Sequence, residues 1–192
     1  MKVTSAKTAK FFHLRIYTKK GDDGSTGLLY GGRTLKNSYA IELNGAVDEA
    51  QAAIGLARSE TPGEISQICI GIEKDLWLLM AEVATLPENR HKLAKSGSMV
   101  SAEMISGLEN LLDAFEGRFE MPNEFVIPGQ NRTSALLDVA RTTVRRAERY
   151  SVDFTQAIPE SLVGAYLNRL SDLLWMLARF AEGDHLLSKK VN

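Results

Sequence analysis

Residues 16–36 carry five glycines, Gly21, Gly24, Gly27, Gly31 and Gly32, among charged and hydroxyl side chains. Within them, Thr18-Lys19-Lys20-Gly21-Asp22-Asp23-Gly24-Ser25-Thr26-Gly27 has the composition of an anion cradle. Glycines let the backbone approach a ligand, and consecutive amides form an anion-binding nest. Thr18, Ser25 and Thr26 add hydroxyls, and Lys19 and Lys20 add positive charge. Asp22 or Asp23 can hold a magnesium ion that bridges phosphates. The Gly-Lys-Ser/Thr core of a Walker loop is absent. The competing reading is an N-terminal arm built of turn residues.

A second cluster lies on the amphipathic stretch 132–153. Asp138, Arg141, Arg145 and Arg149 fall within about 80° of a helical wheel, with Glu148 beside them. Leu136, Leu137, Ala140, Val144 and Ala147 take a neighbouring arc, so the arginines border the core face. Guanidinium groups held there need anionic partners. A triphosphate serves, and so do carboxylates of a neighbouring helix or subunit. The bland alternative is a solvated face of local pairs such as Asp138 with Arg141. Asn168 and Asp172, four apart, share a helix face and can orient a ribose or an arginine. Phe125-Val126-Ile127-Pro128-Gly129 places an aromatic ring just ahead of the arginine helix; read alone, it is a hydrophobic plug on the bundle end. His13, His91 and His185 are far apart, sit in expected loops or ends, and form no ligand set with Cys69.

These groups must be positioned by helices. Apolar residues recur at three- and four-residue steps in five segments. The segments run from Ser38 to Ser59, from near Pro62 through Val83, from Ser101 through Phe115, from Arg132 to Asp153, and onward from Pro159 with Ser161 as cap. Residues 86–100 read as the most mobile inner loop. Trp77, Trp175, Met80 and Met176 are assigned to the core. The expected fold is all-α: a five-helix up-and-down bundle with a Gly-rich N-terminal loop segment. Residues 1–15 are expected to be a flexible basic tail and 16–192 a single domain.

Composition narrows the function. The chain has 192 residues, 23 basic and 24 acidic, for a net charge of −1. This argues against a broad nucleic-acid surface. One cysteine, Cys69, makes no internal disulfide and no cysteine-rich metal site. No apolar run is long enough to span a membrane. The expected compartment is the cytoplasm; a basic mitochondrial presequence is the alternative.

Taken in order, the motifs resemble the PduO-type ATP:cob(I)alamin adenosyltransferases. They are Tyr17 to Gly27, Glu42 to Gly55 with Val47-Asp48-Glu49, Phe125 to Gly129, Ala140-Arg141-Thr142, Arg145-Arg146-Ala147-Glu148-Arg149, and Tyr166 to Asp172. The resemblance implies a homotrimer of bundles with active sites at subunit interfaces. It implies transfer of the 5′-deoxyadenosyl group of ATP, with Mg2+, to the cobalt of cob(I)alamin, releasing triphosphate. By position, Thr18, Lys19, Gly21, Asp22, Asp23, Gly24, Ser25, Thr26 and Lys36 hold the nucleotide, and Arg145, Arg146, Glu148 and Asn168 complete its site. Asp48 pairs with Arg141 across the subunit boundary, and Phe125 lines the corrin side. A reductase and an adenosylcobalamin-dependent enzyme are the implied protein partners. The chain departs from the family pattern at Ala40, Ala50-Gln51, Gln130 and Asp138, the last often a histidine. A carrier of adenosylcobalamin and a helical oligomerisation module are the other classes that fit the residues.

Overall fold

The computed structural model describes residues 17–188. The tail expected over residues 1–15, and His13 with it, lie outside the described residues. Two short antiparallel strands come first, β1 (Ser25–Gly27) and β2 (Arg33–Leu35), in the register Gly27 opposite Arg33. Six helices follow: α1 (Tyr39–Ser59), α2 (Glu64–Val83), α3 (Arg90–Ser96), α4 (Ala102–Phe115), α5 (Arg132–Ala157) and α6 (Val163–Glu182).

The five long helices are those expected from periodicity. Ser38 and Ser101 are the extended residues before α1 and α4, and the Ser101 hydroxyl accepts the Met104 amide. Asn131 caps α5 by accepting the Ser134 amide at 2.8 Å. α5 runs past Asp153 to Ala157 because Phe154 is buried and extends the apolar stripe. Pro62 stands outside α2, whose start is set by Gly63 at φ 87°. α6 begins two residues after Ser161, whose hydroxyl faces the Val163 amide at 3.4 Å.

Two expectations are corrected. Residues 86–100 are not an irregular loop: they form a 3-10 turn (Pro87–Asn89) and α3, on which His91 lies. Buried Leu93 and an ion pair from Arg90 to Glu82 anchor this stretch. Seven residues are too few to display a helical period, so its sequence read as loop. Trp77 is 61% exposed. It falls about 100° around α2 from Leu76, outside the arc that Ile72, Leu76, Leu79 and Val83 bury.

α1 packs between α2 and α5, α5 packs on α6, and α4 packs on α6 and faces α2 across a cleft. Phe115 of α4 meets Phe180 of α6 edge-to-face at 4.9 Å. The contacts define two ends. At one end, Ser161, between α5 and α6, donates to Glu82 of α2 at 2.7 Å. At the other, Arg132 of α5 pairs with Glu60 beyond α1, and Asn131 donates to the Ala181 carbonyl. α5 joins the two ends across 26 residues, about 39 Å.

Candidate functional site

The Gly-rich segment forms a hairpin docked on the first of these ends. The Leu29 amide donates to the Ala84 carbonyl at 2.8 Å, just past the end of α2. Gly32 sits at φ 89°, in the left-handed region that favours glycine, and a Cβ there would displace the Leu86 methyl that lies 2.5 Å away. Before β1 the chain turns sharply. The Gly24 amide donates to the Gly21 carbonyl, Gly24 has φ 81°, and its carbonyl accepts the Lys36 amide at 2.9 Å.

Thr18, Lys19, Asp22, Asp23, Gly24 and Lys36 are exposed, while Gly21, Ser25 and Thr26 are partly covered. The Lys36 ammonium lies over Gly21, 3.2 Å from where a Cβ would stand. Asp23 accepts the Ser25 amide at 2.9 Å and the Ser25 hydroxyl at 2.8 Å. These bonds, with the Arg33 charge nearby, hold its carboxyl below the usual carboxylate range. Asp22 is thus the more available carboxylate for a bound cation. Among the described residues no group of three metal-ligating side chains occurs.

On α5 the stripe grades from buried to exposed. Asp138 is buried and binds Arg141 at 2.9 Å and Arg179 of α6 at 2.5 Å. Arg146 pairs with Glu49 of α1. Arg145 is exposed, and its guanidinium makes no ion pair or hydrogen bond among the described residues. It borders a groove of about 470 Å³ between α5 and α6, together with Glu148, Arg149 and Ser161. Glu148 accepts from the Asn168 amide group at 2.7 Å. Arg145, Glu148 and Asn168 therefore converge. Ser161 joins their groove to Glu82, two residues before the carbonyl that anchors the hairpin.

Asp48 is exposed on α1 and makes no ion pair with Arg141 among the described residues. Phe125 is 88% exposed and is no plug among the described residues. Its segment is held by residues 186–188: the Ile127 amide donates to Leu186, and the Ser188 amide to Phe125. His185, three residues past the end of α6, is linked to buried Glu182 and to the Glu120 carbonyl beside this segment. Phe125 therefore belongs to the end opposite the hairpin.

Sequence reasoning missed Arg33, Arg179 and Glu82. Arg33 carried a usable signal, since a hairpin turning at Gly31-Gly32 brings it back beside the Gly-rich turn. Arg179 and Glu82 sit on apolar helix faces, where a charge marks a buried pair.

A family model of cobalamin adenosyltransferase matches residues 16–181. A corrinoid adenosyltransferase of Mycobacterium tuberculosis is 40% identical over 177 residues, 88% of this chain and 90% of that protein. One from Citrobacter freundii is 36% identical over 170 residues, 88% of this chain and 95% of the relative. A variant PduO-type ATP:corrinoid adenosyltransferase from Lactobacillus reuteri, solved with cobalamin and ATP, superposes with a TM-score of 0.77 at 26% identity. That match covers 91% of this chain and 99% of the other.

Proposed function

Because this chain belongs to the cobalamin adenosyltransferase family, we propose that it transfers the 5′-deoxyadenosyl group of ATP to the cobalt of cob(I)alamin. The reduced cobalt attacks C5′ with its electron pair. A cobalt–carbon bond forms, the C5′–oxygen bond breaks, and triphosphate leaves with the bonding electrons. So strong a nucleophile needs no general base. The protein has to align the reacting atoms and stabilise charge on the leaving group.

The observation that carries the assignment of residues is the Arg145 guanidinium, without a partner among the described residues, on the groove it shares with Glu148, the acceptor of Asn168. A cation held there without an anion among the described residues suits a triphosphate. In this reading, Thr18 to Thr26 and Lys36 hold MgATP, with Asp22 facing the magnesium, and Arg145, Arg146, Glu148 and Asn168 complete the site. Arg146 then exchanges its contact with Glu49 for the nucleotide. Phe125 covers the corrin and keeps water from the reduced cobalt. Its place at the far end of its own bundle supports a site shared between copies, as does the exposure of Asp48. The chain accordingly works as a homotrimer in which Asp48 pairs with Arg141 of a neighbour. Residues 16–192 act as one adenosyltransferase domain, with residues 1–15 as its tail. The enzyme works in the cytoplasm, supplied by a reductase and drained by an adenosylcobalamin-dependent enzyme. No helix among the described residues is long and apolar enough to cross a membrane.

The test is incubation of the purified chain with MgATP and chemically reduced cobalamin. The expected product is a light-sensitive alkylcobalamin, with one triphosphate per product. MgATP binding without product would instead favour a carrier. Arg145→Ala is expected to lower kcat/KM by about 100-fold, the scale of a lost charged contact to a leaving group. Wild-type turnover by that variant removes Arg145 from the site.

A further inference from the structure

Arg33 opens β2 opposite Gly27, and its side chain reaches back beneath the Gly-rich turn. Its Nη2 donates to the Lys20 carbonyl at 2.6 Å and to the Ser25 hydroxyl. Its Nε donates to the same hydroxyl at 3.0 Å. The Asp23 carboxylate lies 3.6 Å away. One guanidinium thus touches the chain on both sides of the Gly21–Gly24 turn.

This placement matters for an anion. A loop that receives phosphate must present N–H groups and turn its carbonyls and carboxylates elsewhere. The Lys20 carbonyl and the Asp23 carboxylate would both repel a triphosphate. Arg33 draws both toward itself. Ser25, hydrogen-bonded at once to Asp23 and Arg33, is locked between them. The rigid guanidinium holds a backbone carbonyl and, through two nitrogens, a hydroxyl in fixed geometry; an ammonium supplies charge without that geometry.

We infer that Arg33 is a positioning residue for the nucleotide, holding the Lys20–Ser25 turn in its anion-accepting shape. The inference rests on the reading of this segment as the MgATP site. Arg33 is itself exposed, so its ion pair adds little to folding stability. Its loss is therefore felt in ligand affinity and not in the fold.

The experiment compares wild type, Arg33→Gln and Arg33→Lys in the full chain. It uses calorimetric titration with MgATP, adenosylation kinetics in both substrates, and thermal melting without ligand. Arg33→Gln is expected to raise the Kd and KM for MgATP about tenfold, the scale of a lost hydrogen bond from a charged group. The KM for cob(I)alamin and the ligand-free melting temperature stay at wild-type values. Arg33→Lys falls between, because charge returns without the fork. MgATP affinity unchanged in Arg33→Gln, or an equal rise in both KM values, overturns the inference. Were Arg33→Gln to misfold, Arg33→Lys at wild-type affinity would overturn it as well. A wild-type chain that neither binds MgATP nor forms adenosylcobalamin is a separate result: it removes the functional reading and this inference with it.

Discussion

Glu82 is the sharpest test of how the hairpin end is held together. Its side chain is fully buried in the last turn of α2. One oxygen accepts from Arg90 at 2.9 Å and from the Ser161 hydroxyl at 2.7 Å; the other accepts the Val100 amide at 2.8 Å. Three segments meet on this carboxylate, two residues before the carbonyl that anchors Leu29. Glu82→Gln keeps the shape and removes the charge. If the new carboxamide oxygen stays on Arg90 and Ser161, its NH2 group faces the Val100 amide, donor against donor. One stranded buried amide costs about 1–3 kcal/mol, and weakening the bond to Arg90 adds about 1 kcal/mol. The total of about 2–4 kcal/mol lowers the melting temperature by roughly 5–15 °C for a chain of this size. Glu160 contacts the same arginine at 3.5 Å but is exposed. Glu160→Gln should cost no more than about 0.5 kcal/mol. Both variants are melted by calorimetry at equal protomer concentration, because assembly shifts apparent stability. Equal melting temperatures for the two would refute the claim that the buried carboxylate, and not Arg90 alone, joins these segments.

Two further outcomes follow from burial. Burial raises the Asp75 carboxyl above its usual range, only partly offset by the Tyr166 hydroxyl it accepts at 3.0 Å. A raised folded-state value gives stability below the unfolded value, near pH 4, that is lost as pH rises through the folded value. Asp75→Asn, which can still accept from Tyr166, should therefore gain on wild type at pH 7 and lose that gain toward pH 4 in denaturant titrations; a difference independent of pH would contradict this. Burial, helped by the Glu73 charge, pushes the Cys69 thiol up to about 11. Native protein at pH 8 should resist iodoacetamide while urea-unfolded protein is alkylated, as read by mass spectrometry.

The long helices were legible because each repeats its apolar period over several turns, and α4 and α5 also carry polar caps. The short α3 was not legible, since a buried ion pair between Arg90 and Glu82 holds it and not a stripe of its own. Trp77 misled because its residue type suggests burial while its angular position forbids it. At the candidate site, composition marked the Gly-rich segment as an anion cradle but not the arginine that shapes it. The contacts of Arg33 depend on strand register, and three-residue strands leave almost no pattern to read.

The arginine stripe shows why one periodic feature serves two ends. α5 and α6 run antiparallel, with Asp138 meeting Arg179 and Glu148 meeting Asn168. What α6 presents at each level decides the fate of the α5 side chain opposite. At the Asp138 level it presents Arg179, 1% exposed, and a closed network forms through Glu182 and His185. The buried aspartate is stable here because that cation faces it. One turn past Asn168 stands Asp172, whose carboxylate is already bound to Arg169 at 2.7 Å. No ion pair from it reaches Arg145 among the described residues. The periodicity of α5 is the same throughout, so the sequence of α5 alone cannot separate the structural arginine from the one that needs an external anion. The partner helix does, by supplying a counterion at one level and withholding it at the other.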